Sequence, residues 1–162
     1  MESPEYRVPF GRSSLTFELP TGMSATVVAS KKAKPVDDLE LSVQQALDHP
    51  VGSPPLSELV ARGDPGTLNV CIVFTDITRS SPDHILVPSL LRQLEAAGVP
   101  DDNITLLCGI GMHRASTPEE KVAKLGQDVV DRYRVIDNEP QNAEALIDLG
   151  VTRGGVPVSA HR

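Results

Sequence analysis

Two nearly continuous apolar runs, over 68–74 and 104–108, constrain the fold more than any other feature of the sequence. Each has the length of a strand and is too short for a helix of the core. Apolar residues at helical spacing separate the two runs, a second helical pattern begins at Thr117, and 133–136 is a third strand candidate. This strand–helix–strand–helix–strand order predicts the α/β fold class, with a parallel-core sheet flanked by helices. Because such apolar strands are typical of sheets covered on both sides, we expect both faces of the first strand to be buried.

Local signals predict where the helices begin and end. Apolar residues recur at helical spacing from Asp38, and Pro50 ends this pattern. A short helix is predicted over 56–60. Thr117 is a predicted N-cap, and Glu120 completes the pattern of a capping box.

Strand patterns lie at both ends of the chain. Alternating apolar residues over 15–19 predict a half-buried strand, and 25–28 predicts a second strand after a turn. Near the end, apolar segments on either side of 152–155 predict a hairpin. We therefore expect N-terminal β-strands and a linker in 1–36 and an α/β domain in 37–162, together forming one structural unit of a longer protein.

Composition excludes several classes of function. The chain has 162 residues, a net charge of −7 and 3% aromatic residues. It lacks the basic surface and the stacking platforms that nucleic-acid-binding proteins use. No apolar run reaches about 18 residues, so we expect no transmembrane helix, and the acidic N-terminus does not have the pattern of a secretory signal. We expect Cys71 and Cys108 to be buried, unpaired thiols, which is typical of a cytoplasmic protein.

The first candidate site follows the first buried strand. Asp76, Thr78 and Arg79 come before Ser81, where the next helix is predicted to begin. Ligands of open α/β sheets bind beyond the carboxyl ends of the strands, and a helix N-terminus favours anions. Because Arg79 can hold a carboxylate or a phosphate through two hydrogen bonds, the loop suits a small anion. The structural alternative is that Asp76 and Thr78 only satisfy loop amides while Arg79 lies on the surface.

The second candidate site follows the second buried strand and has the sequence Gly109-x-Gly111-x-His113-Arg114. His113 is the candidate general base, because a neutral imidazole accepts a proton near pH 7. Arg114 either binds the substrate anion or pairs with an acidic residue of the following helix. The pattern lacks the third glycine of a dinucleotide-binding loop, so we reject a nicotinamide site. An isolated histidine is often structural, but the convergence of both motifs on one sheet edge favours the catalytic interpretation.

The remaining histidines carry less information. His49 precedes a proline at a helix end, His84 lies in the first turn of the helix after the Arg79 loop, and His161 is near the terminus. No pair of histidine, cysteine or acidic residues has the spacing of a metal site, so we predict no metal ligands. The sequence has neither a Walker-type loop nor a Gly-x-Ser-x-Gly elbow, which argues against a nucleotide triphosphatase and a serine hydrolase.

Taken together, these motifs resemble the N-terminal domain of the nickel-pincer lactate racemase family. The segments that carry the resemblance are Phe10-Gly11, 46–54, Asp76-x-Thr78-Arg79, Gly109-x-Gly111-x-His113-Arg114, Thr117, Glu120, Leu125-Gly126 and 149–157. They cover most of the chain. The sequence departs from the family at Ser80, where the family often has a proline after the arginine, and this change removes no polar group.

The resemblance implies an enzyme that interconverts the two hands of a 2-hydroxy acid by reversible hydride transfer to a nickel-pincer nucleotide. It implies that His113 is a catalytic base, that Arg79 holds the substrate, and that Asp76 lies beside the cofactor, with Thr78 in the same loop. A 2-hydroxy acid needs a carboxylate anchor and a base near its hydroxyl, which agrees with these roles. The implied partners are the small 2-hydroxy acid and a C-terminal domain of the same protein.

Three functional residues of the family have no counterpart in this chain. They are a second catalytic histidine, the lysine that tethers the cofactor and the histidine that ligates nickel. We therefore expect either the front portion of a longer racemase or epimerase, or a shortened relative that is inactive alone. The alternative function is a non-catalytic module, derived from that family, that binds a small carboxylate or phosphate.

Overall fold

The computed structural model describes residues 5–161. The chain divides into two compact units, Met1–Pro35 and Val36–Arg162. The elements of the described residues are, in chain order, β1 (Glu5–Phe10), β2 (Ser13–Glu18), α1 (Leu39–Asp48), α2 (Leu56–Val60), β3 (Val70–Thr75), α3 (Asp83–Ala96), β4 (Ile104–Gly109), α4 (Pro118–Leu125), α5 (Gln127–Arg132), β5 (Arg134–Asp137), β6 (Leu146–Val151) and β7 (Pro157–His161). Short 3₁₀ turns precede β4 and β6. The alternation of strands and helices from β3 to β5 confirms the predicted α/β class.

The first unit is built on an antiparallel hairpin of β1 and β2. Tyr6 and Phe17 lie opposite each other in the register, and their rings stack with 5.9 Å between centroids. The prediction of a second strand over 25–28 is wrong, because these residues have no strand structure and Val28 is 90% exposed. A strand requires a hydrogen-bonded neighbour, and the described residues of this unit offer 25–28 none.

The helices follow the local signals in the sequence. Asp38 caps α1, since its Oδ1 accepts a hydrogen bond from the Leu41 N–H over 2.9 Å. At α4 the Thr117 hydroxyl accepts from the Glu120 N–H (3.2 Å) and the Glu120 carboxylate accepts from the Thr117 N–H (2.9 Å), which confirms the capping box. The short helix over 56–60 is confirmed, whereas the sequence patterns did not indicate α5. None of the helices within 5–161 combines the length and the apolar character that a membrane crossing requires.

The second unit is built on a parallel sheet in the order β3-β4-β5. The register places Ile72 opposite Leu106 and Phe74 opposite Cys108, so these residues form a single apolar row on one face. Side chains of α3 and α4, among them Leu94, pack on this row and complete the core. The predicted parallel-core sheet flanked by helices is therefore confirmed.

On the opposite face of this sheet the β3 side chains of Cys71 and Val73 are exposed within the described residues, so the expectation that β3 is buried on both faces is wrong. Val73 is 66% exposed, and Cys71 is exposed as well, whereas Cys108 is buried. Side chains alternate between the two faces along a strand, and the buried residues of β3 and β4 all belong to the row that faces the helices. The expectation of two buried thiols is therefore wrong for Cys71.

The predicted C-terminal hairpin is confirmed. Strands β6 and β7 pair antiparallel, with a register shift between Asp148 and Gly150. In the turn between them, the Gly155 N–H donates to the Thr152 carbonyl over 3.0 Å. Gly155 has a φ of 81°, a left-handed conformation that favours glycine, so the turn depends on this residue type.

We predict that Leu106→Ala destabilises the second unit by about 2–5 kcal/mol, because Leu106 is fully buried and its truncation leaves a cavity. Val73→Ala is the matched control on the opposite face of the same sheet and should change the free energy of unfolding by less than about 0.5 kcal/mol. Urea denaturation of both variants measures the difference. Equal destabilisation by the two substitutions would contradict the one-sided core.

Candidate functional site

The loops after β3 and β4 leave the sheet at the same edge. Thr75 and Gly109, the last residues of these strands, are partners in the parallel register. The two predicted site loops therefore lie side by side, as expected for the carboxyl ends of neighbouring parallel strands. A cavity of about 240 Å³ lies between them. Its lining includes Asp76, Thr78, His113, Arg114, Ser116 and Glu120.

Asp76 and His113 form the central contact of the site. His113 Nδ1 contacts Asp76 Oδ2, and the Thr78 hydroxyl donates to Asp76 Oδ1 over 2.8 Å. Asp76 is only 6% exposed, whereas the His113 side chain is 46% exposed. The hydrogen bonds from His113 and then Thr78 lower the pKa of Asp76 against the opposing effect of burial, and the charges of His113 and Arg79 add to this. The Asp76 carboxylate is therefore ionised at neutral pH.

The contact with Asp76 determines which nitrogen of His113 is available to a ligand. An ionised carboxylate can only accept hydrogen bonds, so the shared proton belongs to Nδ1 of His113. In the neutral ring, Nε2 then carries the free lone pair. A carboxylate placed in this way also stabilises the imidazolium that forms when Nε2 takes up a proton. The geometry therefore provides an oriented base.

The backbone around His113 is held from two sides. The His113 N–H donates to the Ile110 carbonyl over 3.0 Å, and Gly111 inside this turn has a φ of 59°, which favours glycine. The Ile110 N–H in turn donates to Asn138 Oδ1 over 2.7 Å. Asn138 follows β5, so the third strand also fixes the loop that carries the base, a role that the sequence analysis did not predict.

Arg79 lies in the first loop, but its side chain is not part of the lining of the 240 Å³ cavity. The Arg79 N–H donates to the Asp76 carbonyl over 3.1 Å, which closes a turn between the two residues. Its guanidinium makes no hydrogen bond or ion pair within residues 5–161, and its charge contributes to the lowered pKa of Asp76. The donors of Arg79 are therefore available to an anion near the site, and its role as a substrate ligand stays a prediction.

Arg114 pairs with the helix that follows it. Its Nη1 and Nη2 atoms donate to Glu120 Oε2 (2.8 Å) and Oε1 (2.6 Å), and Nη1 also donates to the Ala115 carbonyl. The hydrogen bond from Arg114, followed by that from the Thr117 N–H, lowers the pKa of Glu120 to about 2. Of the two roles considered for Arg114, the pairing role is the one present in this structure. Its role in substrate binding stays a prediction.

A buried ion pair next to the Arg79 loop, residues 76–80, was not predicted from the sequence. Lys124 Nζ of α4 lies 2.9 Å from Asp83 Oδ2 of α3, and both side chains are buried. Burial raises the pKa of Asp83, but hydrogen bonds from Thr75, Lys124 and Ser81 outweigh it and the net pKa is lowered. A weak signal was present in the sequence, since Lys124 is adjacent to Leu125 on the buried side of an amphipathic helix.

The other candidate residues lie outside these contacts. A second cavity, of about 880 Å³, lies on the β5 side of His113 and is lined in part by residues 135–142. His49 and His84 are exposed and line neither cavity, while His161 lies in β7. Within residues 5–161, no group of three or more histidine, cysteine or acidic side chains is arranged to hold a metal ion.

The fold and the site define an α/β domain that presents an aspartate-oriented histidine and an available arginine at one edge of a parallel sheet. A family model described as the lactate racemase N-terminal domain matches residues 10–162. The chain belongs to this family.

Individual relatives agree with the family match. The chain is 33% identical to a lactate racemase from Lactiplantibacillus plantarum and 29% identical to one from Thermoanaerobacterium thermosaccharolyticum, over 150 residues in each case. Both matches cover 91% of this chain and 34% of the relative, so the chain spans about a third of the length of these relatives.

Solved structures show the same fold. The lactate racemase apoprotein from Thermoanaerobacterium thermosaccharolyticum superimposes with a TM-score of 0.75 at 26% identity, covering 98% of this chain and 36% of that chain. A protein from Thermotoga maritima superimposes with a TM-score of 0.57 at 27% identity, covering 76% of this chain and 30% of that chain.

We predict that Arg114→Ala raises the pKa of Glu120 from about 2 towards its ordinary value of 4.5. Because the pKa of Glu120 is lowered in the folded chain, its contribution to stability is present above pH 4.5 and is lost as the pH falls towards 2. The variant should therefore lose less stability than the unsubstituted chain across this pH range. Carboxyl NMR titration and thermal unfolding measure both effects.

Arg153→Ala, in the exposed turn before β7, is the control and should leave the titration of Glu120 unchanged. If Glu120 titrates at the same pH with and without Arg114, the ion pair does not form in solution.

Proposed function

We propose that the chain is the N-terminal portion of a 2-hydroxyacid racemase or epimerase of the lactate type, with His113 as a general base. The observation that carries the proposal is the contact between Asp76 and His113, which leaves Nε2 of His113 available as a base. The guanidinium of Arg79 is close enough to affect the pKa of Asp76. Membership of the lactate racemase family supports the class of reaction.

The substrate requirements match what the two loops offer. A 2-hydroxy acid carries a carboxylate next to a carbon that bears a hydroxyl group. In the proposal, Arg79 holds the carboxylate with its planar fork, and this fixes the hydroxyl relative to His113. Arg114 stays a secondary candidate for the anion, because Glu120 already accepts hydrogen bonds from both of its terminal nitrogens.

The proposed reaction moves a proton and a hydride separately. His113 Nε2 takes the hydroxyl proton while a hydride leaves C2, so the 2-hydroxy acid becomes a flat 2-keto acid and His113 becomes an imidazolium. Return of the hydride to the opposite face of the keto acid, with a proton restored to the oxygen, gives the other hand of the substrate. Asp76 stabilises the imidazolium and keeps the ring oriented throughout.

The family resemblance assigns the hydride acceptor to a nickel-pincer nucleotide, which supplies that chemistry when it is bound. The resemblance implies that the histidine that ligates nickel lies outside this chain, and within residues 5–161 no group of three or more histidine, cysteine or acidic side chains is arranged to hold a metal ion by itself. The chain's residues fit a role on the substrate side. Asp76 and Thr78 are predicted to lie beside the cofactor. In this structure one carboxylate oxygen of Asp76 contacts His113 and the other accepts a hydrogen bond from Thr78. We therefore assign nickel binding to no residue of this chain.

The proposal includes a partner for this chain. The curated relatives are about three times as long as the matched region, since that region covers 34% of each. The family resemblance implies a separate base for each hand of the substrate, and this chain offers one oriented histidine within its described residues. We propose that a C-terminal domain of the same protein supplies the second base and the cofactor ligands.

We predict that His113→Ala lowers the rate of lactate racemisation by roughly 10²–10⁴-fold, which is the usual contribution of a general base. The assay uses the full product of the gene with its cofactor and follows both enantiomers by chiral chromatography. His49→Ala removes an exposed histidine at the end of α1 and should leave the rate unchanged. Normal turnover in the His113 variant would exclude it as the base.

The anion-binding module is tested separately on the 162-residue chain. Calorimetry should detect binding of L-lactate, and Arg79→Ala should abolish it. If that binding is found but the full gene product racemises no 2-hydroxy acid, the non-catalytic module is the correct function.

A further inference from the structure

We propose that Lys124, together with Asp83, is a positioning residue that holds the Arg79 loop in its anion-binding conformation. This inference deepens the proposed function and rests on it. Neither residue contacts the Asp76–His113 pair, so both act through the loop rather than on the reacting atoms.

Lys124 connects three elements through one ammonium group. Its Nζ atom donates to Thr75 Oγ1 (3.0 Å), to the Arg79 carbonyl (2.9 Å) and to the Ser81 carbonyl (3.2 Å), and it lies 2.9 Å from Asp83 Oδ2. These acceptors come from the end of β3, from the loop and from the start of α3. Lys124 is only 6% exposed, and a buried ammonium is stable only when such partners surround it.

Asp83 completes the network from the opposite side. Its Oδ2 accepts from the Thr75 hydroxyl (2.6 Å) and from the Thr75 N–H (3.3 Å), and its Oδ1 accepts from the Ser81 hydroxyl (2.7 Å). The carboxylate therefore ties the same strand end and the same loop end that Lys124 holds. Both ends of the segment 76–80 are fixed by one buried ion pair.

The direction of the Arg79 carbonyl has a consequence for ligand binding. In a trans peptide the C=O and the following N–H point in opposite directions, and the described chain has no cis peptide bond. Because the Arg79 carbonyl faces Lys124, the Ser80 N–H faces away from it, and this N–H makes no hydrogen bond within residues 5–161. The residue that follows Arg79 therefore has an unused backbone donor, in addition to the unused guanidinium of Arg79 itself.

The test removes both charges of the buried pair at once. Both replacement side chains in the double variant Lys124→Met/Asp83→Asn are uncharged, so no buried charge is left without its partner. The asparagine can still accept a hydrogen bond from Thr75. Arg132→Gln is the control, because it removes ion pairs to Glu95 and Asp101 on the surface, away from the loop. Each 162-residue protein is studied by NMR, with sodium L-lactate as the probe. The first readout is hydrogen exchange at the Arg79 amide, which donates to the Asp76 carbonyl, with Leu106 as the internal reference for global unfolding.

We expect faster exchange at the Arg79 amide in the double variant, unchanged exchange at Leu106, and lactate affinity weaker by roughly tenfold to a hundredfold. The control should match the unsubstituted chain in all three. Unchanged exchange at the Arg79 amide, or unchanged affinity in a double variant whose Leu106 stays protected, would overturn the positioning role. If Leu106 loses protection in the double variant, the same measurements are made on the single variant Lys124→Arg, which retains the charge, and the same criteria apply to it.

The experiment separates this inference from the proposed function. If the unsubstituted chain shows no lactate-dependent shift at Arg79, the anchor assigned under the proposed function is wrong, and the exchange readout alone decides the role of Lys124. If lactate binds but hydrogen exchange in the loop does not change when the Lys124–Asp83 pair is removed, only the positioning inference fails.

Discussion

The parallel pairing of β3 with β4 brings the two loops of the site together. Thr75 and Gly109 are partners in this register, and the residues that follow them leave the sheet at one edge. Asp76 and His113 are far apart in the chain, and they meet only because this pairing aligns the strand ends. The buried core side chains of these strands, among them Ile72 and Cys108, hold the two strands in register through burial on the face that packs against the helices. Packing of the core is therefore what sets the geometry of the site.

Two buried carboxylates near this edge have different partners and different consequences. Asp76 is paired with an exposed imidazole, so its charge orients a base and stays close to the solvent-accessible cavity. Asp83 is paired with the buried ammonium of Lys124, so its charge is neutralised inside the fold and stabilises the backbone of the loop. Burial of either carboxylate without its partner is unfavourable. The same residue type therefore orients a solvent-accessible side chain in one place and stabilises a buried network in the other.

The sheet is asymmetric in a way that the apolar runs did not predict. Helices cover the row that contains Phe74, whereas in the row on the opposite face Val73 is exposed and Leu107 is only half-buried within the described residues. An apolar strand predicts burial, but the sequence of the strand does not specify which element covers each face. This chain also corresponds to about a third of the length of its curated relatives.

Local periodicity and residue type were enough to predict the alternation of strands and helices from β3 to β5 apart from α5, the capping box at Thr117, and the motifs that carry Asp76, Arg79 and His113. The contact between Asp76 and His113, and the hydrogen bonds from Lys124 to the loop carbonyls, became visible only in the folded chain. The strand order predicted that the two loops share a sheet edge, but it did not predict which of their side chains pair, because that depends on how the loops and helix faces pack in the folded chain. The prediction of a strand over 25–28 is wrong for the same reason, since a strand exists only where another strand accepts and donates its backbone hydrogen bonds.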